Sequence, residues 1–205
     1  MNIKYFVRTT QEREFNYDLD YELLIDKEKK PVESFINQLR LISESDSVLL
    51  EDDLILCKDF KNKIENVIKQ YPNRIINFFT DPRVYFTTHL SSEFMWNQCT
   101  YYPKGIGLIV ANEMEKMHRQ IPSMPYDQVE NNVLKRLNIP HIKYRPCLVQ
   151  HLDNDSLIMD KTNGSRRSIY FEDYLNELNI DYIEAFTKEN NQKLQKKLYE
   201  DFQNR

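Results

Sequence analysis

The segment Ser47-Val48-Leu49-Leu50-Glu51-Asp52-Asp53-Leu54 puts three adjacent carboxylates at the end of a short apolar run. An apolar run bounded by polar residues reads as a strand buried on both faces. In an open α/β sheet, carboxylates at a strand's carboxyl end face the crevice where ligands bind. Three such groups side by side repel one another and hold their protons more tightly unless a cation sits among them. A hard divalent metal, Mn²⁺ or Mg²⁺, bridging the phosphates of a nucleotide suits that position. Asp53 is then the principal ligand, helped by Asp52 or Glu51. His151 ends a second apolar run and would complete the shell, imidazole favouring Mn²⁺ over Mg²⁺.

Other residues have types and positions that could serve the same chemistry. Arg8, Thr9 and Asp26 stand at the ends of the first two expected strands, where a nucleotide would lie. Arg166 and Arg167 could clamp a diphosphate from a closing loop. The chain has only three glycines, and Gly105 and Gly107 flank Ile106 directly after Pro103-Lys104. Glycine so placed marks backbone approaching a ligand or another strand closely. Trp96 falls in an irregular, aromatic-rich stretch (81–104) suited to a binding loop. His89, His118 and His141 show no supporting pattern.

The elements that must hold these groups follow from periodicity. Ile3 to Val7 and Tyr21 to Ile25 read as strands, and Pro31 opens a helix with Val32, Phe35, Ile36, Leu39 and Ile42 at helical spacing. After the acidic strand come a helix from Asp59 to Tyr71 and a strand from Arg74 to Phe79. Ile106 to Ala111 reads as a buried strand, with a short helix beginning at Asn112. Asp127 followed by Glu130 is the capping-box pattern of a helix start. His141 to Arg145 and Leu148 to His151 read as strands, and from Ile169 onward the chain is helical and charged. The expected fold is α/β: a mixed, mostly parallel sheet flanked by helices, Rossmann-like, in one domain over 1–205 with 169–205 as a helical extension.

Composition sets the bounds. A chain of 205 residues with 40% hydrophobic and 29% charged residues suits a soluble, well-cored domain. A net charge of -4 argues against gripping nucleic acid by bulk electrostatics, although Lys193, Lys196 and Lys197 could form a local basic stripe. No stretch is apolar enough for a membrane span or a secretion signal. Cys57, Cys99 and Cys147 are few, odd in number and widely spaced, which fits reduced thiols in a cytoplasm. Leu194, Leu198 and Phe202 form a helical stripe that would pack on the body or on a second copy, making a homo-oligomer through the C-terminal helix an expectation to test.

Several segments together resemble metal-dependent glycosyltransferases of the GT-A fold, and among them small phage-type enzymes. They are Leu50-Glu51-Asp52-Asp53, Leu56-Cys57-Lys58-Asp59-Phe60, Lys104-Gly105-Ile106-Gly107, Tyr126-Asp127, and Pro146-Cys147-Leu148-Val149-Gln150-His151 followed by Ser156-Leu157 and Arg166-Arg167. The resemblance spans roughly residues 1–171 and departs at Cys147, where serine is commoner, and at the charged C-terminal helix. It implies transfer of a sugar from a nucleotide-sugar donor, a UDP-sugar, with Asp52, Asp53 and His151 on the metal and Arg8, Thr9, Asp26, Glu51, Arg166 and Arg167 on the donor. Lys104, Gly105, Gly107 and Trp96 would meet the donor sugar or acceptor. By resemblance to inverting members, Asp127 would be the base that deprotonates the acceptor hydroxyl. Phage DNA bases, a virion protein and a surface polymer all stay open as acceptors.

Two other classes compete. Asp26 followed by Glu28-Lys29-Lys30 is loosely similar to the metal-site pattern of restriction-type nucleases. A catalytically silent module that binds a nucleotide sugar would keep the fold without the reaction.

Overall fold

A computed structural model describes residues 2–79, 96–152, 167–185 and 187–203. The central sheet takes strands β1 (Ile3–Thr9), β2 (Tyr21–Ile25), β3 (Asp46–Glu51), β5 (Ile75–Asn77), β6 (Cys99–Tyr102) and β7 (His141–Lys143), in the order β2-β1-β3-β6-β5-β7. Pairings β1–β2, β1–β3 and β5–β7 are parallel; β6 runs antiparallel to both of its neighbours. The expected mixed, mostly parallel sheet flanked by helices is what the chain builds. Strands β4 (Leu54–Leu56) and β8 (Val149–His151) form a separate antiparallel ribbon.

The inner strands are covered on both faces, which explains why the middles of β1 and β3 are apolar runs instead of alternating, while the edge strand β2 stays largely exposed. Tyr5, Val7, Val48 and Leu50 point into one core with Phe60, Ile64, Val67 and Ile68 of helix α2 (Phe60–Gln70). Phe6 and Leu49, one residue out of phase, enter a second core on the other face. There they meet helices α1 (Pro31–Ile42), α3 (Ile106–Gln120) and α4 (Tyr126–Leu137). As expected, Pro31 begins α1, and its buried side chains are Val32, Phe35, Ile36, Leu39 and Ile42, along with Gln38.

The expected strand at Ile106–Ala111 is instead the opening of α3. Gly107, Val110, Ala111 and Met114 are buried at helical spacing, while Leu108 and Ile109 are about half exposed, at 47% and 50%. Two outward-facing aliphatics disguised a helical period as a continuous run. Within the stretch 81–104, residues 80–95 lie outside the described ones, but Cys99–Tyr102 forms the fully buried β6 and not a loop. The strands expected at 74–79 and 141–145 are shorter, at Ile75–Asn77 and His141–Lys143.

The C-terminal part comprises α5 (Glu172–Glu177), α6 (Tyr182–Ala185) and α7 (Lys188–Gln203). A small core joins Cys147, Ile169, Tyr170, Leu175, Ala185 and Leu194, with Leu198 packed against it. Leu194 and Leu198 of the expected stripe thus face their own chain, while the Phe202 side chain lies outside the described ones. The expected basic stripe is partly balanced: Lys193 pairs with Glu189, Lys196 with Glu200, and Lys197 lies over the Tyr174 ring. The three cysteines are buried and form no disulfide, and burial pushes the Cys57 thiol up to about 12. No helix among the described residues is long and apolar enough to cross a membrane.

Candidate functional site

Strand β3 delivers Glu51 to the carboxyl edge of the sheet, in register with Arg8 on β1. The chain then bends through Asp52 and Asp53 before entering β4. In the β4–β8 ribbon Leu54 pairs with His151. The ribbon is tied at both ends: Leu152 N–H donates to the Asp53 carbonyl at 2.8 Å, and Cys57 N–H to the Leu148 carbonyl at 3.0 Å. Register therefore fixes His151 beside Asp53, with His151 Nε2 3.4 Å from Asp53 Oδ2.

Glu51, Asp53 and His151 offer ligand atoms that all lie within 4.8 Å of one another. Asp53 and His151 are buried, and Glu51 is half-buried. Burial raises the Glu51 carboxyl above its ordinary range, against the opposing pull of Arg8. Asp53 Oδ1 and Asp52 Oδ2 are buried without a hydrogen-bond partner. Desolvated carboxylate oxygens of that kind are costly unless a cation or donor meets them. Two carboxylates and one imidazole form a donor set that fits a divalent ion such as Mn²⁺. Asp52, expected among the ligands, is not part of this trio and instead faces Arg13 at 3.5 Å.

Two residues that sequence reasoning missed organise the acidic turn. Arg13 Nη1 lies 2.5 Å from Asp53 Oδ2, so one guanidinium serves both aspartates. Tyr17 donates its hydroxyl proton to the Glu51 carbonyl at 2.7 Å and accepts Leu54 N–H at 3.0 Å. Both come from the polar loop between β1 and β2, which has no spacing signature.

On the side facing α4, Arg8 lies between aromatic rings, 5.3 Å from the Phe35 centroid and 4.6 Å from that of Tyr126. Its guanidinium approaches Glu51 Oε1 at 3.8 Å, and the Tyr126 hydroxyl donates to the same oxygen at 3.0 Å. Asp127 follows in the first turn of α4, where burial raises its carboxyl despite backbone N–H donors that include Trp96. Trp96 is thereby joined to Asp127, and its carbonyl accepts from Asn77 Nδ2 at 2.9 Å. The expected capping box does not form: Pro125 is the N-cap, and Glu130 turns inward. Glu130 accepts from the Tyr102 hydroxyl at 2.8 Å and from Asn97, and burial lifts its carboxyl to about 8.

Thr9 and Asp26 share the carboxyl edge, Asp26 N–H donating to the Thr9 carbonyl at 2.9 Å. The Thr9 hydroxyl accepts Gln11 N–H, and an Asp26 carboxylate oxygen accepts Lys30 N–H at the start of α1. Gln150 holds Ser168 by both backbone groups, at 2.6 and 2.9 Å, which brings half-buried Arg167 alongside β8. Arg166 and Ser156-Leu157 lie outside the described residues.

Lys104, Gly105 and Gly107 are not at this edge. Because β6 is antiparallel to β3, Tyr102 pairs with Ser47, and Lys104 N–H reaches Asp46 at the amino end of the acidic strand. Gly105 adopts the left-handed backbone (φ 84) that starts α3. A Cβ on Gly107 would fall 2.5 Å from the Leu39 carbonyl oxygen. The close approach at Gly107 is therefore between α1 and α3, whereas Gly105 has open space where a Cβ would stand.

Beside the turn opens a cleft of about 660 Å³, lined among others by Phe15, Tyr17, Asp18, Asp52, Asp59 and Phe60. Its lining mixes four acidic residues and Lys61 with aromatic and aliphatic side chains.

No protein-family model matches the chain, and no curated protein matches it. Among solved structures, one match is a crystal structure from Bacillus anthracis assigned as a glucose-1-phosphate thymidylyltransferase, in complex with sucrose. It has 11% identity and a TM-score of 0.39 over 72% of this chain and 68% of that one. At that level the two chains share a rough path, and nothing about chemistry follows from it.

Proposed function

We propose that the chain is a metal-dependent glycosyltransferase of the GT-A kind, taking its sugar from a UDP-sugar and inverting the anomeric centre. The observation that carries this reading is the convergence of Glu51, Asp53 and His151 within 4.8 Å at the carboxyl edge of the sheet. These three residues would hold a divalent ion, which when bound neutralises the charge that collects on a departing diphosphate. Arg8 keeps Glu51 oriented from the α4 side, its own position fixed between two rings. Thr9 and Asp26 line the edge a nucleotide would follow, and Arg167, with Arg166 before it, would meet its phosphates.

Asp127 is the base in this reading. Its raised carboxyl is better matched to accepting a proton near neutral pH than an ordinary aspartate. Backbone N–H donors hold the carboxylate in place, and Trp96 beside it would stack on the sugar. The net charge of -4 disfavours a polyanionic acceptor such as DNA and favours a neutral hydroxyl acceptor.

The nuclease reading finds no support in its own residues. Glu28 and Lys30 pair with each other at the surface, and Lys29 pairs with Glu12, also exposed. The test is titration of Mn²⁺ by calorimetry, followed by UDP-sugar hydrolysis with Mn²⁺ and with EDTA, and NMR of the released anomer. Metal uptake with metal-dependent hydrolysis supports the enzyme. Uptake of neither Mn²⁺ nor UDP defeats it, and UDP-sugar binding without turnover leaves the silent module.

A further inference from the structure

We propose that Arg13 is a built-in competitor of the divalent cation at Asp53, so that the loop between β1 and β2 sets how readily the site takes metal. The inference rests on the metal-site reading above. Its geometric basis is a single oxygen: Asp53 Oδ2 lies 2.5 Å from Arg13 Nη1 and 3.4 Å from His151 Nε2. The carboxylate atom facing the imidazole is therefore the atom that the guanidinium already binds. The same Nη1 reaches Asp52 Oδ1 at 3.5 Å, so Arg13 offsets two neighbouring acids at once.

A guanidinium keeps its proton at any pH the fold survives, so it cannot yield by neutralising. Two cations on one buried carboxylate oxygen repel strongly, because little water screens them. Asp53 Oδ1 is buried with no hydrogen-bond partner, so the carboxylate has a second face that Arg13 does not hold. Metal entry then either turns Asp53 to present Oδ1 or moves Arg13 outward. The Arg13 side chain is 15% exposed, against 8% for Asp53 and 1% for His151, so it is the outermost of the three. It also belongs to a loop segment without regular structure, while Asp53 and His151 are tied by the ribbon. Arg13 is the member able to move.

The test is Mn²⁺ titration of wild type, R13Q and R13K, by calorimetry and by the loss of free-ion EPR signal, with melting temperatures taken in EDTA. R13Q keeps length and hydrogen bonding but drops the charge; it is expected to bind Mn²⁺ at least five-fold more tightly and to melt lower in EDTA. R13K keeps a charge but loses the fork that spans both aspartates, and an intermediate affinity is expected. Measurable uptake by R13Q where wild type shows none also supports the proposal. Wild type binding Mn²⁺ as tightly as both variants, or more tightly, overturns it while leaving the metal site standing. No uptake by any of the three overturns both. Should R13Q fail to fold, R13K alone decides by the same comparison.

Discussion

The hydroxyl of Tyr17 donates to the carbonyl oxygen of Glu51 at 2.7 Å while accepting the N–H of Leu54. One side chain thus closes the turn that carries Asp52 and Asp53. The two backbone groups lie either side of the acidic pair, so the hydroxyl fixes where both carboxylates can go. Tyr17 itself is buried, and burial with the surrounding acids holds its hydroxyl in the protonated form that this bridge requires.

Replacing Tyr17 by Phe leaves a buried carbonyl and a buried N–H without partners. Each such loss is worth about 1–3 kcal/mol, and the Phe ring preserves the packing against Phe15 and Tyr21. We expect Y17F to unfold at lower urea by about 2 kcal/mol and to bind Mn²⁺ more weakly than wild type. Unchanged metal affinity would mean that the turn holds its shape without the clasp.

Asp53→Asn tests the cluster directly. The substitution keeps shape but removes the charge shared by Arg13, His151 and any bound cation. Mn²⁺ affinity should fall by at least ten-fold, about 1.4 kcal/mol or more. Stability in EDTA should also drop, by about 1.5–3 kcal/mol, since a charged hydrogen bond is lost from a largely buried pair. Calorimetry and urea unfolding on one preparation separate the two effects. Retained Mn²⁺ affinity would remove Asp53 from the ligand set.

The acidic turn was legible in sequence because an apolar run ended in charge, and both the burial of β3 and the helices α1 and α2 followed from periodicity. His151 could be nominated by type, but its neighbour could not, because the Leu54–His151 register depends on a ribbon between distant segments. Arg13 was invisible for a related reason. It lies in a polar loop, and only the fold brings it to Asp53. Glu130 was misread because its spacing from Asp127 suits a cap, whereas its face of the helix points at Tyr102 and Asn97. Gly107 signalled a close approach, though sequence cannot say that α1 does the approaching, whereas Gly105 serves the left-handed backbone that starts α3.

Gly107→Ala asks what that glycine is for. The new methyl would meet the Leu39 carbonyl at 2.5 Å, and the contact is backbone, so α1 and α3 must separate. Such overpacking costs about 1–3 kcal/mol, partly offset by about 1 kcal/mol of helix propensity gained over glycine. A net loss of up to about 2 kcal/mol in urea unfolding is expected, with Mn²⁺ and UDP affinity unchanged. A variant of normal stability with impaired UDP-sugar binding would return Gly107 to the ligand site.

Glu130 predicts a pH dependence whose sign follows from its burial. An unfolded-chain glutamate ionises near ~4.3, whereas burial holds the folded carboxyl at about 8. Between those values the unfolded chain has released a proton that the folded chain keeps. Stability contributed by this group is therefore complete below ~4.3, falls as pH rises, and levels off above about 8. Glu130→Gln retains an acceptor for the Tyr102 hydroxyl, and Asn97 Oδ1, which has no hydrogen-bond partner, can take the new amide N–H after a flip. Urea midpoints at pH 5 and pH 8.5 should differ by less in E130Q than in wild type, by on the order of 3 kcal/mol in unfolding free energy. The variant should be the more stable protein at the higher pH. Identical pH slopes for the two proteins would show that Glu130 is ionised in the fold and that its charge is met by Arg8.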